Sequence, residues 1–242
     1  MRPKKFTSRI YSCIALIVLF TLACSSLPFR LPFLKPAIQI SGPTPTMVNA
    51  NWKALVYDTF EYSTGSFFKG KMDFLGDTID ISAQDGKSIL KSTSPSGSSD
   101  IYVPTSFGDS LGDFYASIEG RQIACPDVCE YGFWFRNSDK GSYVFSIREQ
   151  EGIFSFYSSN RSTVSITSYN FNTASSEIRQ NGSNVLAVKA EGNNISVYIN
   201  GILVNQIQSD ISPKGTMGIY VSLSGTGSEA EFEFDNFQVY GP

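Results

Sequence analysis

Glu130-Tyr-Gly-Phe-Trp-Phe-Arg136, Ser142-Tyr-Val-Phe-Ser-Ile-Arg148 and Gly152-Ile-Phe-Ser-Phe-Tyr-Ser158 are three short aromatic runs separated by polar turns. In each run large residues recur at every second position: Tyr131, Phe133 and Phe135; Tyr143, Phe145 and Ile147; Phe154 and Phe156. Side chains of a strand alternate between the two faces of a sheet, so this period predicts a β-meander with those residues turned to a core. The opposite set is Trp134, Arg136, Val144, Ser146, Arg148, Ser155 and Tyr157. A solvated sheet face rarely mixes indole, guanidinium, phenol and hydroxyl groups in this way, so this face is the first place to look for a ligand.

Composition agrees with strands throughout. The chain has 242 residues with 20 Gly, 11 Pro and 14% aromatics, and no long stretch with a 3.6-residue apolar period. All-β sandwiches of about 200 residues commonly form one unit. Histidine is absent, which excludes Ser-His-Asp and Cys-His catalysis and His-ligated zinc, and leaves carboxylates, hydroxyls, Lys and backbone groups for any chemistry.

The start of the chain has the layout of a secretory signal peptide. Arg2, Lys4, Lys5 and Arg9 precede or open an apolar run from Ile10 to Ala23, shorter than the about 20 residues of a comfortable membrane span. Thr21-Leu-Ala-Cys24-Ser-Ser resembles the lipobox of bacterial lipoproteins, in which the cysteine is lipidated and becomes the new N-terminus. Thr21 and Leu22 depart from the usual pattern, so ordinary cleavage and an uncleaved anchor stay open beside lipidation of Cys24. All three place the rest of the chain outside the cytoplasmic membrane, anchored on its extracytoplasmic side where lipid or leader persists. Removal of residues 1–23 takes away four cations and no acid, moving the net charge from −3 to −7. Nucleic acid is therefore a poor partner.

Residues 24–52 read as a tether, with Pro28, Pro32, Pro36, Pro43 and Pro45 holding the chain extended. The domain is expected over 53–242, from an apolar strand at Ala54-Leu-Val-Tyr57. Strand candidates follow near 78–82 and 87–91, then in the meander. Cys125 and Cys129 should pair in an oxidising compartment; two thiolates without a third Cys or a His are too few for tetrahedral zinc. Residues 159–183, rich in Ser, Asn and Thr, read mostly as loop. Asn200-Gly201 is the pair a type I′ hairpin turn demands. Phe232, Phe234, Phe237 and Val239 shift the inward phase by one, which a β-bulge at Asp235-Asn236 explains. About a dozen short strands with regular turn signals indicate an all-β, two-sheet antiparallel jelly-roll sandwich.

Tyr57-Asp-Thr-Phe60, the runs from Tyr131 and Tyr143, Asn184-Val-Leu-Ala-Val188 with Ile195-Ser-Val-Tyr-Ile-Asn-Gly201, Gly215-Thr-Met-Gly-Ile-Tyr220 and Phe234-Asp-Asn-Phe-Gln-Val239 carry a family resemblance. Together they resemble the concanavalin A-like, laminin G-like sandwich domains of bacterial surface lipoproteins, related to the keto-disaccharide hydrolase-like group. The resemblance spans roughly residues 54–240. It implies a jelly-roll fold and a carbohydrate-facing or cell-surface role, because the wider superfamily includes lectins, sugar-binding modules and glucanases.

Three sets of residues are candidates for a site. Glu231, Glu233 and Asp235 alternate on one strand, as two carboxylates of a retaining glycosidase would. Glucanases of the superfamily carry a Glu-x-Asp-x-Glu ladder within the sheet, however, whereas this run is differently ordered and ends the chain, so Glu231 and Glu233 read first as a solvated face. Trp134, Arg136, Arg148 and Tyr157 could form a sugar platform, the rings stacking on a pyranose and the cations binding hydroxyls. Asp58 and Asp235, in the first and last strands, offer carboxylates for calcium, the one cofactor considered. The expectation is a monomeric, non-catalytic surface module whose partner is a carbohydrate, with a glycoside-active enzyme or a module for an envelope protein as alternatives.

Overall fold

The computed structural model describes residues 47–242 apart from 62–64, 75, 96, 107, 109, 126 and 226–227. The expected signal peptide, Cys24 and most of the tether lie outside the described residues. Within them the chain forms fifteen strands: β1 (Lys53–Asp58), β2 (Gly70–Phe74), β3 (Asp77–Gln84), β4 (Lys87–Ser94), β5 (Ser98–Pro104), β6 (Phe114–Ala124), β7 (Val128–Asn137), β8 (Gly141–Arg148), β9 (Ile153–Asn160), β10 (Ser165–Ala174), β11 (Asn184–Glu191), β12 (Asn194–Ile199), β13 (Ile202–Gln208), β14 (Thr216–Ser224) and β15 (Ser228–Gly241). One sheet has nine strands in the order β13-β12-β11-β6-β15-β4-β3-β2, with β1 on the second half of β15; the other has six, β10-β9-β8-β7-β14-β5. Every pairing is antiparallel. The expected two-sheet sandwich is therefore the observed fold.

The meander is β7-β8-β9, and its inward set is buried as the alternation requires: Tyr131, Phe133, Phe135, Tyr143, Phe145, Ile147, Phe154 and Phe156 are all at most 3% exposed. Rings bridge the sheets. Tyr131 packs on Phe232 and Phe234 of β15 at centroid distances of 5.8 and 6.0 Å, and Phe114 of β6 meets Phe135 at 6.0 Å. Burying each such ring contributes about 2–3 kcal/mol. Gly120 makes one of these contacts possible. A Cβ there would stand 2.6 Å from the Tyr131 ring, whose hydroxyl donates to the Gly120 carbonyl at 3.0 Å.

The predicted turn and bulge are present. Asn200 and Gly201 both have positive φ, 50° and 85°, and join β12 to β13. The β15–β6 register shifts between Asp235 and Gln238, with Asn236 at φ 52°, so Phe234 and Phe237 both face the core. Cys125 and Cys129 form the expected disulfide where the chain passes from β6 in one sheet to β7 in the other.

Residues 159–183, read mostly as loop, hold one further strand: Ser165–Ala174 is β10, paired with β9, and just over half of the stretch is turn or loop. β10 is an edge strand, largely exposed, and its register on β9 shifts twice. Neither face is uniformly buried, so no apolar alternation was imposed on its sequence.

Candidate functional site

The register of the six-stranded sheet fixes which outward side chains are neighbours. One cross-strand row is Asp100, Ser222 and Glu130; the next is Tyr102, Tyr220, Gly132, Ser146 and Ser155; the third is Pro104, Gly218, Trp134, Val144, Tyr157 and Ser168. Trp134, Val144 and Tyr220 are buried in a small cluster of their own, separate from the main core, with Tyr157 packed against it. Tyr102, 45% exposed, meets Trp134 edge-on at 5.9 Å and Tyr220 at 5.3 Å. The Trp134 ring lies over Gly218, where a Cβ would come within 2.5 Å of its Nε1, and that N–H is buried without an acceptor. The Tyr220 hydroxyl donates to Asp100 Oδ1 at 2.9 Å. Burial raises the pKa values of Tyr102, Tyr157 and Tyr220 above the usual phenol value, so all three remain hydrogen-bond donors at neutral pH.

Beside these rings is a cleft of about 390 Å³, lined by Tyr102, Pro104, Trp134, Asn137, Ser142, Ser159 and Arg161. Its polar groups are held in place by one another. Arg161 Nη2 donates to Asn137 Oδ1 at 2.8 Å, and the Ser142 and Ser159 hydroxyls share a 2.9 Å hydrogen bond. An aromatic wall beside fixed donors and acceptors can pack on the C–H face of a ring while bonding its hydroxyls.

Trp134 and Tyr157 thus stand together as the sequence predicted. Arg148 shares their face, but its Nε donates to Glu130 Oε1 at 2.6 Å and its Nη1 lies 3.8 Å from Glu151, while Glu130 Oε2 accepts from Ser146 at 2.9 Å. The guanidinium is engaged with carboxylates of its own sheet. Arg136 does not lie on this face. Its φ is 48° and the β7–β14 register shifts just here, between Thr216 and Gly218, which breaks the alternation and leaves Arg136 fully buried. Its Nε and Nη2 donate to the Gly112 carbonyl at 3.0 and 2.7 Å, Nη2 also to the Gly192 carbonyl at 2.8 Å, and Asp113 Oδ1 is 3.8 Å away. Arg136 ties β7 to the segments before β6 and between β11 and β12. Sequence reasoning missed Tyr102, Tyr220, Asn137 and Arg161. The alternation in Gly215–Ser224 puts Tyr220 opposite Met217 and Ile219, so that ring was available as a signal.

The acids of β15 are on the nine-stranded sheet. Glu231 pairs with Lys91 at 3.2 Å and Glu233 with Lys87 at 2.9 Å, as opposite charges on adjoining strands do. Burial raises the pKa of Asp235, whose Oδ1 accepts from the Asn236 amide. The Asp58 carboxylate accepts from the amides of Phe60 and Ser66, fixing the turn in which Phe60 adopts φ 55°. Among the described residues no three or more His, Cys, Asp or Glu side chains gather into a group that could hold a metal ion.

No family model matches the chain, and no curated protein matches it. Solved structures do. An endo-β-galactosidase from Clostridium perfringens that releases GlcNAcα1-4Gal is 12% identical, with a TM-score of 0.61 over 83% of this chain and 65% of that one. A β-1,3-1,4-glucanase (lichenase) from a mouse hindgut metagenome is 14% identical, TM-score 0.56, over 77% and 98%. The Bacillus licheniformis β-glucanase is 15% identical, TM-score 0.52, over 77% and 97%. The fold of this chain is accordingly the concanavalin A-like sandwich that those hydrolases share.

Proposed function

We propose that this chain is a non-catalytic module that binds carbohydrate on the outward face of the six-stranded sheet. The observation that carries the reading is the half-exposed Tyr102 ring, braced edge-on by the buried Trp134, beside the polar cleft of Asn137, Ser142, Ser159 and Arg161. Tyr157 and Tyr220 back the wall, so the rings are preorganised and little side-chain entropy is lost on binding. Arg148 and Glu130, elsewhere on the same face, form a mutually satisfied pair. The fold is compatible with this role and equally houses hydrolases. We further propose that the chain is exported and held at the cell envelope through Cys24, which would present this face to extracellular glycans.

The catalytic alternative needs two carboxyl groups on either side of one glycosidic bond. On the outward face the acids in register are Glu130, bonded to Arg148 and Ser146, and Asp100, two strands away and bonded to the Tyr220 hydroxyl. Glu231 and Glu233 are each neutralised by a lysine. Binding is therefore the better reading.

A glycan array followed by calorimetry on the best hits tests it. Tyr102→Ala, which removes the stacking ring, and Trp134→Ala, which removes its buried support, should each weaken binding by up to about ten-fold, since a stacked ring supplies about 0.5–1.5 kcal/mol beyond its buried area, while reducing-end assays on the same polysaccharides should show no turnover. Affinity unchanged in both variants would remove the site, and turnover lost in Glu130→Gln would replace the binding reading with an enzymatic one.

A further inference from the structure

The cleft beside Tyr102 carries a one-sided set of hydrogen-bonding groups. Arg161 is held there at both ends: its amide donates to the Lys140 carbonyl at 2.9 Å and its Nη2 to Asn137 Oδ1 at 2.8 Å. Asn160 Oδ1 accepts from the amides of Ser162 and Thr163 at 2.9 and 3.1 Å, which fixes the turn on which Arg161 stands. The rest of the guanidinium has no hydrogen-bond partner among the described residues, and no carboxylate among them lies within ion-pairing distance of it. A guanidinium only donates, so its bond turns the Asn137 amide with Oδ1 toward Arg161 and leaves Nδ2 as a free donor. Ser142 and Ser159 share one hydrogen bond, which leaves one hydroxyl proton free. Neither Asp nor Glu is among the lining residues. The acids in register on this face are engaged, Asp100 with Tyr220 and Glu130 with Arg148 and Ser146.

The backbone of β7 departs from alternation to produce this set. Regular alternation would turn residue 136 outward and 137 inward. The positive φ of Arg136 and the register shift beside it invert that order, burying Arg136 and bringing Asn137 to the cleft. A non-glycine residue at φ 48° is held there against a conformational cost.

We propose that Arg161 and Asn137 form a subsite for the anionic group of an acidic glycan, a uronate carboxylate or a sulfate ester, beside the sugar ring that packs on Tyr102. The inference rests on the carbohydrate reading above and names the class of glycan. Donors from Arg161, Asn137 and the serine pair match an oxygen anion with several lone pairs, and Arg meets such a group with two parallel bonds. A neutral hydroxyl can accept from the same donors but leaves the guanidinium charge unpaired. The net negative charge of the chain opposes general polyanion binding, so the attraction is confined to this cleft.

Calorimetry on the full-length chain in a sugar-free detergent tests the proposal, with hexagalacturonate, its methyl ester, a sulfated galactan hexamer, its desulfated form and inorganic tripolyphosphate. At least one anionic hexamer should bind about five- to ten-fold more tightly than its neutral counterpart, as a charge-assisted pair between partly exposed groups allows, and weaken as salt is raised. Which of the two does so tells carboxylate from sulfate. Arg161→Gln should lower the anionic affinity to that of the neutral form. Asn137→Asp, nearly isosteric, gives Arg161 a carboxylate of its own and should do the same, with unfolding temperatures measured alongside to confirm the fold. Neutral hexamers binding as tightly as both anionic ones, or a preference that survives both substitutions, would overturn this inference and leave the carbohydrate reading standing. Tripolyphosphate binding as tightly as the hexamers would also overturn it, as attraction to charge without a sugar. Failure of both anionic hexamers to bind would overturn it too, the carbohydrate reading then resting on the glycan array alone.

Discussion

At the residue scale, two buried ions set the sharpest expectations. Glu149, 1% exposed, sits at the turn after β8 and accepts from the Gln122 amide and the Tyr131 hydroxyl, both at 2.9 Å. Arg121 and the Gly182 amide also favour its charged form, yet burial outweighs all of these and raises its pKa above the usual carboxylate value. A carboxyl whose pKa is higher folded than unfolded holds its proton more tightly in the native state. Its contribution is most favourable below the unfolded value and is lost as pH rises through the folded one. Glu149→Gln keeps an acceptor without the charge, so it should equal or exceed wild-type stability at pH 7 and lose that advantage by about pH 4. Glu149→Ala strands the Gln122 amide, while the Tyr131 hydroxyl keeps the Gly120 carbonyl as acceptor, and should cost about 1–3 kcal/mol. Denaturant unfolding at the two pH values decides this; a Gln variant that falls further behind at pH 7 than at pH 4 would reverse the sign of the argument. Arg136 gives the converse case. Its guanidinium is spread over two carbonyls, a fork that Lys cannot reproduce. Arg136→Lys should cost about 2 kcal/mol or more and leave sugar affinity in the folded fraction unchanged, whereas weaker binding at full stability would return Arg136 to the site.

At the scale of the element, alternation made β7, β8, β9, β14 and β15 legible, and it placed Trp134 and Tyr157 on one face correctly. Failure came where the backbone departs from the extended region. Arg136 has positive φ, and Arg carries no signature for it, unlike the Asn of Asn200 and Asn236. Tyr102 was missed for a different reason: which strands become neighbours depends on long-range pairing, and nothing within Ser98–Pro104 announces that β14 and then β7 lie beside it. β10 escaped because an exposed edge strand has no core to impose a pattern. One position that links β5, β14 and β7 closely is Gly218, where a Cβ would run into the Val103 carbonyl and the Trp134 indole. Gly218→Ala should cost roughly 2–3 kcal/mol through overpacking and push the indole outward. Trp134 is one of only two tryptophans, the other being Trp52, beside Lys189. A red shift of fluorescence in the Trp52→Phe background would report the displacement, and an unshifted spectrum with wild-type stability would show that β5 and β14 separate without strain.

At the scale of the whole molecule, the proposed surface role depends on a chemistry that lies outside the sandwich. No helix among the described residues is long and apolar enough to span a bilayer, and the chain after residue 23 carries a net charge of −7, which anionic lipid repels. On the anchoring proposed above, attachment falls to the N-terminal residues. A lipidated Cys24 adds buried CH₂ groups worth about 0.8 kcal/mol each, and a proline-rich tether reaching about 3 Å per residue would carry the domain several tens of ångströms from the surface. These proposals make Cys24 decisive. Wild-type chain should fractionate with membranes and show the mass of a diacylated or triacylated N-terminal cysteine, while Cys24→Ala should lose the acyl mass. Its partition then separates the remaining routes. Release into the soluble fraction at the mass of a processed chain means that lipid is the anchor and another peptidase can remove the leader. Retention in membranes at full mass means that the apolar run from Ile10 to Ala23 holds the chain unaided. A wild-type chain without acyl mass, found soluble and cut near residue 23, would refute the lipid anchor and make the domain a secreted one.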